Sequence, residues 1–296
     1  MRILRGLATA AVLALAAFGA VVAVQVARLR RLRLLPGHPG FWIAHVVVPA
    51  HGRVTGDRLR MVVFGDSTTA GVGVDVAEDS LPYRVAQLVA DAEDRPVDVL
   101  SYGWAGARMA DVARDQVARA LLPRRTRDAG HAPLRIADVV VIVVGANDAT
   151  HRTRPARFRR SLREALGAVR QAAPSARVVI AGVPRLRGAL RDLEPLIALA
   201  DAYASTLRRI QRQEAERAGA AYADLARDVL PRLRGRIDPA TALSADRFHP
   251  GPQVYAAWGD VIAEALGVPT PLPAVPSAAG APAPPASRAP GDGSGG

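Results

Sequence analysis

Five short runs of strand-forming residues, each followed by an amphipathic stretch, constrain this chain more than any other feature. They cover residues 59–64, 97–100, 139–144, 177–181 and 220–224. The runs are nearly continuous in Val, Ile and Leu, the pattern of strands buried on both faces in a parallel sheet covered by helices. Helical periodicity marks 81–92, 109–121, 155–172 and 196–218, and a last helix follows Pro250 to about residue 266. The alternation predicts an α/β fold, a doubly wound five-stranded parallel sheet in three α/β/α layers. In an open sheet of this kind ligands bind outside the carboxyl ends of the strands. Function is therefore to be sought where each run stops.

The rest of the chain divides around that domain, placed at 59–267. Arg2 and Arg5 precede an uncharged run from Gly6 to Ala27, rich in Ala, Val and Leu. At ~1.5 Å per residue this run spans roughly 33 Å, the thickness of a bilayer's hydrocarbon core. Residues 1–33 are expected to be an uncleaved single-pass transmembrane helix in the cell membrane. The alternative is a signal segment, removed on secretion, although no clean small-x-small site follows the run directly. Arg28, Arg30, Arg31 and Arg33 favour a cytoplasmic domain, while Arg2, Arg5 and the amino terminus pull the other way, so charge leaves the side open. Residues 34–58 are expected to be a linker, punctuated by Pro36, Gly37, Pro39, Gly40, Pro49, Gly52 and Gly56. Phe41 and Trp42 within it either meet the membrane interface or fold back on the domain. Residues 268–296, almost wholly Pro, Ala, Gly and Ser, are expected to be a disordered tail.

Composition removes several function classes. The net charge is +12 and all 39 basic residues are arginine, but aromatics are 4% and do not interleave with them. That excludes a base-stacking platform, and no nucleic-acid partner is expected. There is no cysteine, hence no disulfide, thiolate metal site or cysteine nucleophile. Gly71-Val72-Gly73 lacks the third glycine of a dinucleotide fingerprint. Asp246 and His249 alone are two ligands short of a zinc site. Neither cofactor nor metal is expected, and the sequence does not set an oligomeric state.

The first run ends in Phe64-Gly65-Asp66-Ser67-Thr68-Thr69-Ala70-Gly71. A serine there projects into the crevice, but its hydroxyl is a poor nucleophile without an adjacent base that a third group orients. Asp246-Arg247-Phe248-His249-Pro250 offers both. His249 precedes a proline and is biased to extended backbone on a loop. Asp246, three residues earlier, can accept its Nδ1–H and leave Nε2 for Ser67. Donors for a developing oxyanion are available after the second and third runs, in Ser101-Tyr102-Gly103-Trp104-Ala105-Gly106 and Gly145-Ala146-Asn147-Asp148. Each stretch taken alone is also ordinary turn chemistry. The G-x-S-x-G elbow of the α/β-hydrolases is absent at Ser67.

In that order and spacing the four blocks resemble the SGNH (GDSL-type) hydrolase superfamily, from about residue 59 to residue 266. The resemblance implies a flavodoxin-like sheet and esterase- or lipase-like hydrolysis of acyl esters. It implies Ser67 as nucleophile, completed by His249 and Asp246. Oxyanion donors would be the Ser67 N–H, the Gly106 N–H and the Asn147 side chain. Asp66 and Asp148 would shape loops. Ser101 and Ala105 stand where the family commonly has Asn and Ser, positions that tune the hydrogen bonding of the second loop. Expected substrates are small-molecule, lipid or acylated-glycan esters. Alternatives are acyl transfer or deacetylation on cell-envelope glycans, and a membrane-tethered binding protein without catalysis. Arg185 and Arg187, in the loop after the fourth run, either line the substrate entrance and meet an acidic head group or belong to a solvated connection.

Overall fold

The computed structural model describes residues 2–30, 44–123, 130–186, 193–235, 237–238 and 241–270. It opens with helix α1 (Arg2–Arg30), then strand β1 (Ala44–Val47), β2 (Leu59–Gly65), α2 (Leu81–Glu93) and β3 (Val97–Ser101). A composite helix follows, α3 (Met109–Asp111) passing through a π-helical stretch (Val112–Gln116) into α4 (Val117–Ala120). Next come β4 (Val139–Val143), α5 (Ala146–Thr150), α6 (Pro155–Ala172), β5 (Arg177–Ala181) and α7 (Leu196–Arg217). Strand β6 (Ala221–Ala223), α8 (Leu225–Leu233) and α9 (Pro252–Ala265) complete it.

The sheet order is β1-β3-β2-β4-β5-β6. From β3 to β6 every pairing is parallel. In chain order those five strands read second, first, third, fourth, fifth, the flavodoxin-like winding. All five expected strands are present. Alternation within each decides the layers. Met61, Val63, Val141 and Val143 face Val85, Val89, Tyr255 and Ile262 of α2 and α9. Val62, Phe64, Val140 and Ile142 face Met109, Phe158, Leu162 and Leu207 on the other side. All five residues of β4 are buried, as a central parallel strand requires.

The sixth strand is a difference from the expected architecture. β1 pairs antiparallel with β3, Ala44 opposite Leu100 and Val47 opposite Val97, within the stretch read as linker. The segment after it is pinned to the domain as well: Ala50 N–H donates to Asp91 Oδ1 at 2.6 Å, and Thr55 N–H to the Asp94 carbonyl at 2.7 Å. Four residues flanked by Pro and Gly are too short for periodicity to register. They are ordered because β3 would otherwise leave a row of unpaired backbone groups at the sheet edge. Phe41, Trp42 and residues 271–296 lie outside the described residues.

Helix α1 carries 22 residues, Leu7–Arg28, long and apolar enough to cross a membrane. Gln25 is the exception on its surface. Buried against α7, it donates from Nε2 to the Glu194 carbonyl and accepts the Leu196 N–H at 3.0 Å. A helix that follows a parallel strand starts at the carboxyl edge of the sheet. Gln25 therefore meets α7 at the edge that carries the strand ends.

Candidate active site

The winding reverses between β2 and β4, and a crevice opens at such a switch point. Ser67 stands two residues beyond β2, and Asn147 lies in α5, which starts three residues beyond β4. The end of β2 is held by a side chain from the composite helix. Gln116, fully buried, accepts the Gly65 N–H at 2.9 Å and donates to the Gly65 carbonyl at 2.7 Å. Asp66 then folds the chain back, its Oδ1 accepting the Thr68 N–H at 3.0 Å and the Thr68 hydroxyl at 2.9 Å. Burial pushes the Asp66 carboxyl up to about 6, against those hydrogen bonds.

Ser67 Oγ lies 3.0 Å from His249 Nε2, across 182 residues of sequence. His249 Nδ1 lies 2.6 Å from Asp246 Oδ2. The other Asp246 oxygen accepts the His249 N–H at 2.9 Å, the Phe248 N–H at 3.0 Å and the Ser244 hydroxyl at 2.8 Å. Burial alone would raise the Asp246 carboxyl. The hydrogen bonds from His249, Ser244 and Phe248 outweigh it and hold the group well below the usual carboxylate range. Gly73 lets the two loops meet: at φ +101, a Cβ there would come within 2.6 Å of the Pro250 carbonyl and 3.2 Å of His249 Cβ. Hydroxyl, imidazole and carboxylate thus form one hydrogen-bonded row, with Ser67 and His249 both nearly buried.

The two donor loops are fastened to this row and to each other. Ser101 Oγ donates to the Thr69 carbonyl at 2.7 Å. A Cβ on Gly103 would fall 1.9 Å from Thr69 Oγ1, so its lack of a side chain serves close packing of the two blocks rather than a turn alone. Asn147 Nδ2 donates to the Ala107 carbonyl at 3.0 Å, which ties α5 to the Gly106 turn and leaves its second N–H hydrogen unused by that bond. Gly106 itself is exposed at φ +83. Asp148, fully buried, accepts the Met109 N–H at 2.9 Å and is pushed up by burial.

Arg185 Nε donates to the Ala226 carbonyl of α8 at 2.8 Å. Arg187 lies outside the described residues. Two glutamines went unread in the sequence. Besides Gln116, the fully buried Gln211 accepts the Val183 N–H at 3.1 Å and donates to the Val144 carbonyl at 2.9 Å, holding the exits of β4 and β5. The signal was available, because each lies four residues from apolar neighbours on its helix's buried stripe: Val112 and Ala120 around Gln116, Leu207 and Ala215 around Gln211.

A doubly wound α/β domain with this arrangement at its switch point has the architecture of the SGNH esterases. The sequence model of the GDSL-like Lipase/Acylhydrolase family matches residues 63–257, and the chain belongs to that family. It is 27% identical over 209 residues to a GDSL-like esterase of Mycobacterium tuberculosis (strain H37Rv), a match covering 70% of this chain and 62% of that relative, less than two thirds of its length. Among solved structures, the lipase Lip_vut3 from a goat rumen metagenome aligns with TM-score 0.54 at 19% identity, covering 70% of this chain and 97% of that one. Axe2, an acetylxylan esterase from Geobacillus stearothermophilus, aligns with TM-score 0.50 at 17% identity, covering 71% of this chain and 94% of its own. These likenesses establish the shared fold.

Proposed function

We propose that the chain hydrolyses carboxylic esters, with Ser67 as nucleophile, His249 as general base and acid, and Asp246 as the carboxylate that orients the imidazole. The observation that supports this reading is the row from Asp246 Oδ2 through His249 to Ser67 Oγ, at 2.6 and 3.0 Å. Ser67 Oγ attacks the acyl carbonyl carbon while its proton passes to His249 Nε2. The oxyanion takes hydrogen bonds from the Ser67 and Gly106 N–H groups and from the free N–H of Asn147. The imidazolium then protonates the leaving alcohol, and a water molecule repeats the sequence to free the acid. Asp246, held ionised by its hydrogen bonds, stabilises the imidazolium without taking its proton. Substrates are small-molecule or lipid esters, and α1 tethers the domain at a membrane.

The test is labelling with a serine-reactive fluorophosphonate alongside hydrolysis of p-nitrophenyl butyrate. Wild-type protein labels once, at Ser67. Ser67→Ala abolishes both signals, and Asp246→Asn lowers kcat by roughly 10³–10⁴ with the fold intact. Unabated hydrolysis by Ser67→Ala would overturn the assignment. A panel of short, medium and long acyl esters then sets the preferred chain length.

A further inference from the structure

Beside the crevice the structure has a second feature that ester hydrolysis does not use. A depression of ≈ 690 Å³ is lined by Arg108, Arg152, Arg154, Arg157 and Arg160, with Asp148 at its wall. It shares both donor loops with the crevice. Arg108 is two residues beyond Gly106, Asp148 is next to Asn147, and Asp148 accepts the Met109 N–H at 2.9 Å, closing the two loops on each other. The start of α6 opens into it, capped by no side chain, so its free N–H groups add positive potential.

The arginines of this depression differ from those elsewhere on the same helix. Arg159 and Arg163 of α6 both pair with the buried Glu214 of α7, at 2.6 and 2.7 Å. Among the described residues, no carboxylate lies within salt-bridge distance of any of the five guanidinium groups that line the depression. A smaller depression of ≈ 350 Å³ holds Arg185, Arg208, Arg209, Arg212 and Arg227. There Arg212 pairs with Asp224, Arg208 with Asp201 at 3.4 Å and Arg227 with Asp228 at 3.7 Å, while Arg185 is bound to the Ala226 carbonyl. Holding five like charges around one hollow costs Coulomb energy that a multivalent anion offsets. Guanidinium forks match phosphate oxygens in particular.

We propose that this depression is an anion subsite of the hydrolase, receiving the phosphate-class head group of a substrate whose ester carbonyl lies at Ser67. The subsite rests on the esterase reading for its purpose, but not for its detection. Head-group recognition thus moves from the loop of Arg185 to the start of α6.

Binding is measured by calorimetry on full-length Ser67→Ala protein in mild detergent, with inorganic phosphate and with a short-chain phosphatidic acid, the matching neutral diacylglycerol serving as reference. Both anions bind, and Arg154→Ala plus Arg157→Ala weakens each by about tenfold to a hundredfold, the worth of one or two charge-assisted hydrogen bonds. Phosphate binding without a gain for the lipid anion over the neutral lipid would leave an isolated phosphate site and overturn the head-group assignment. Lipid binding that ignores the double substitution would assign the affinity to the acyl chains and also overturn it. In catalysis, the double variant lowers the ratio of kcat/KM for anionic over neutral esters by the same factor. Arg209→Ala plus Arg227→Ala, which removes equal charge from the other depression, leaves that ratio where it was. An equal drop in both pairs would reduce the effect to net charge and sink the subsite. Failure of the esterase reading shows separately, as loss of fluorophosphonate labelling in wild-type protein that still binds phosphate.

Discussion

Ser67 is 8% exposed and His249 4%, so their hydrogen bond forms in a site from which water is largely excluded. On the proposed mechanism, the charge that develops during attack must be met by fixed donors, the role proposed for the Asn147 side chain. Asn147→Ala lowers kcat by about a hundredfold or more, read in steady-state kinetics on a neutral ester. Asp66 acts on stability instead. Burial pushes its folded carboxyl up to about 6, above the ordinary aspartate value, so the native state binds more protons than the unfolded chain in that window. Stability through this group therefore falls as pH rises from about 4 to about 6. Asp246 has the opposite sign. Its depressed folded pKa adds stability above the unfolded value of roughly 3.9, lost as pH falls towards the folded one. Asp66→Asn keeps an acceptor for Thr68 and removes the first slope. Urea unfolding at pH 8 should find it more stable by on the order of 2–3 kcal/mol, with the gain gone by pH 4.

At the scale of elements, the exits of β2, β4 and β5 are gripped from the helical layer. Gln116 grips the end of β2 with both halves of its amide, and the π-helical stretch terminates on that residue. Such stretches recur near functional sites. Gln116→Leu keeps the volume but leaves the Gly65 N–H and carbonyl buried without partners. That costs about 2–5 kcal/mol, seen as a lowered Tm. Gln116→Glu puts an ionisable carboxyl against the buried Gly65 carbonyl, so it also destabilises at neutral pH and less so as pH falls and the carboxyl takes a proton. An unchanged Tm for Gln116→Leu would mean that the amide contributes nothing beyond packing. Strand β1 works at the opposite edge, where it covers β3 and so turns the domain's outer strand into an interior one.

For the whole molecule, the described arginines divide into those paired with a carboxylate and those that are not, and the five lining the larger depression are among the latter, beside loops that leave β3 and β4. Gln25 brings α1 to the start of α7. The apolar helix is thus docked on the side of the sheet that carries the strand ends. A membrane-anchored chain stays with the membrane fraction through an alkaline wash and yields an N-terminal peptide from residues 1–30 by mass spectrometry. A soluble product beginning beyond residue 30 would instead assign α1 as a signal segment.

The five parallel strands, their winding helices, the three blocks that end the first three runs and the block before the last helix were legible in the amino-acid sequence. Burial on both faces imposes continuous Val and Ile, and a nucleophile, its base and its donors need particular residue types. The roles proposed for Ser67, Asp246, His249 and Asn147 rest on side-chain chemistry, which a sequence displays wherever the residues stand. Strand β1, the glutamine grips and the choice of which arginines go unpaired were settled only in three dimensions. A guanidinium is the same group whether or not a carboxylate from another helix reaches it, as Arg157 and Arg159 show two residues apart. Pairing across 50 or more positions, as between Arg163 and Glu214, is a property of packing and leaves no local mark.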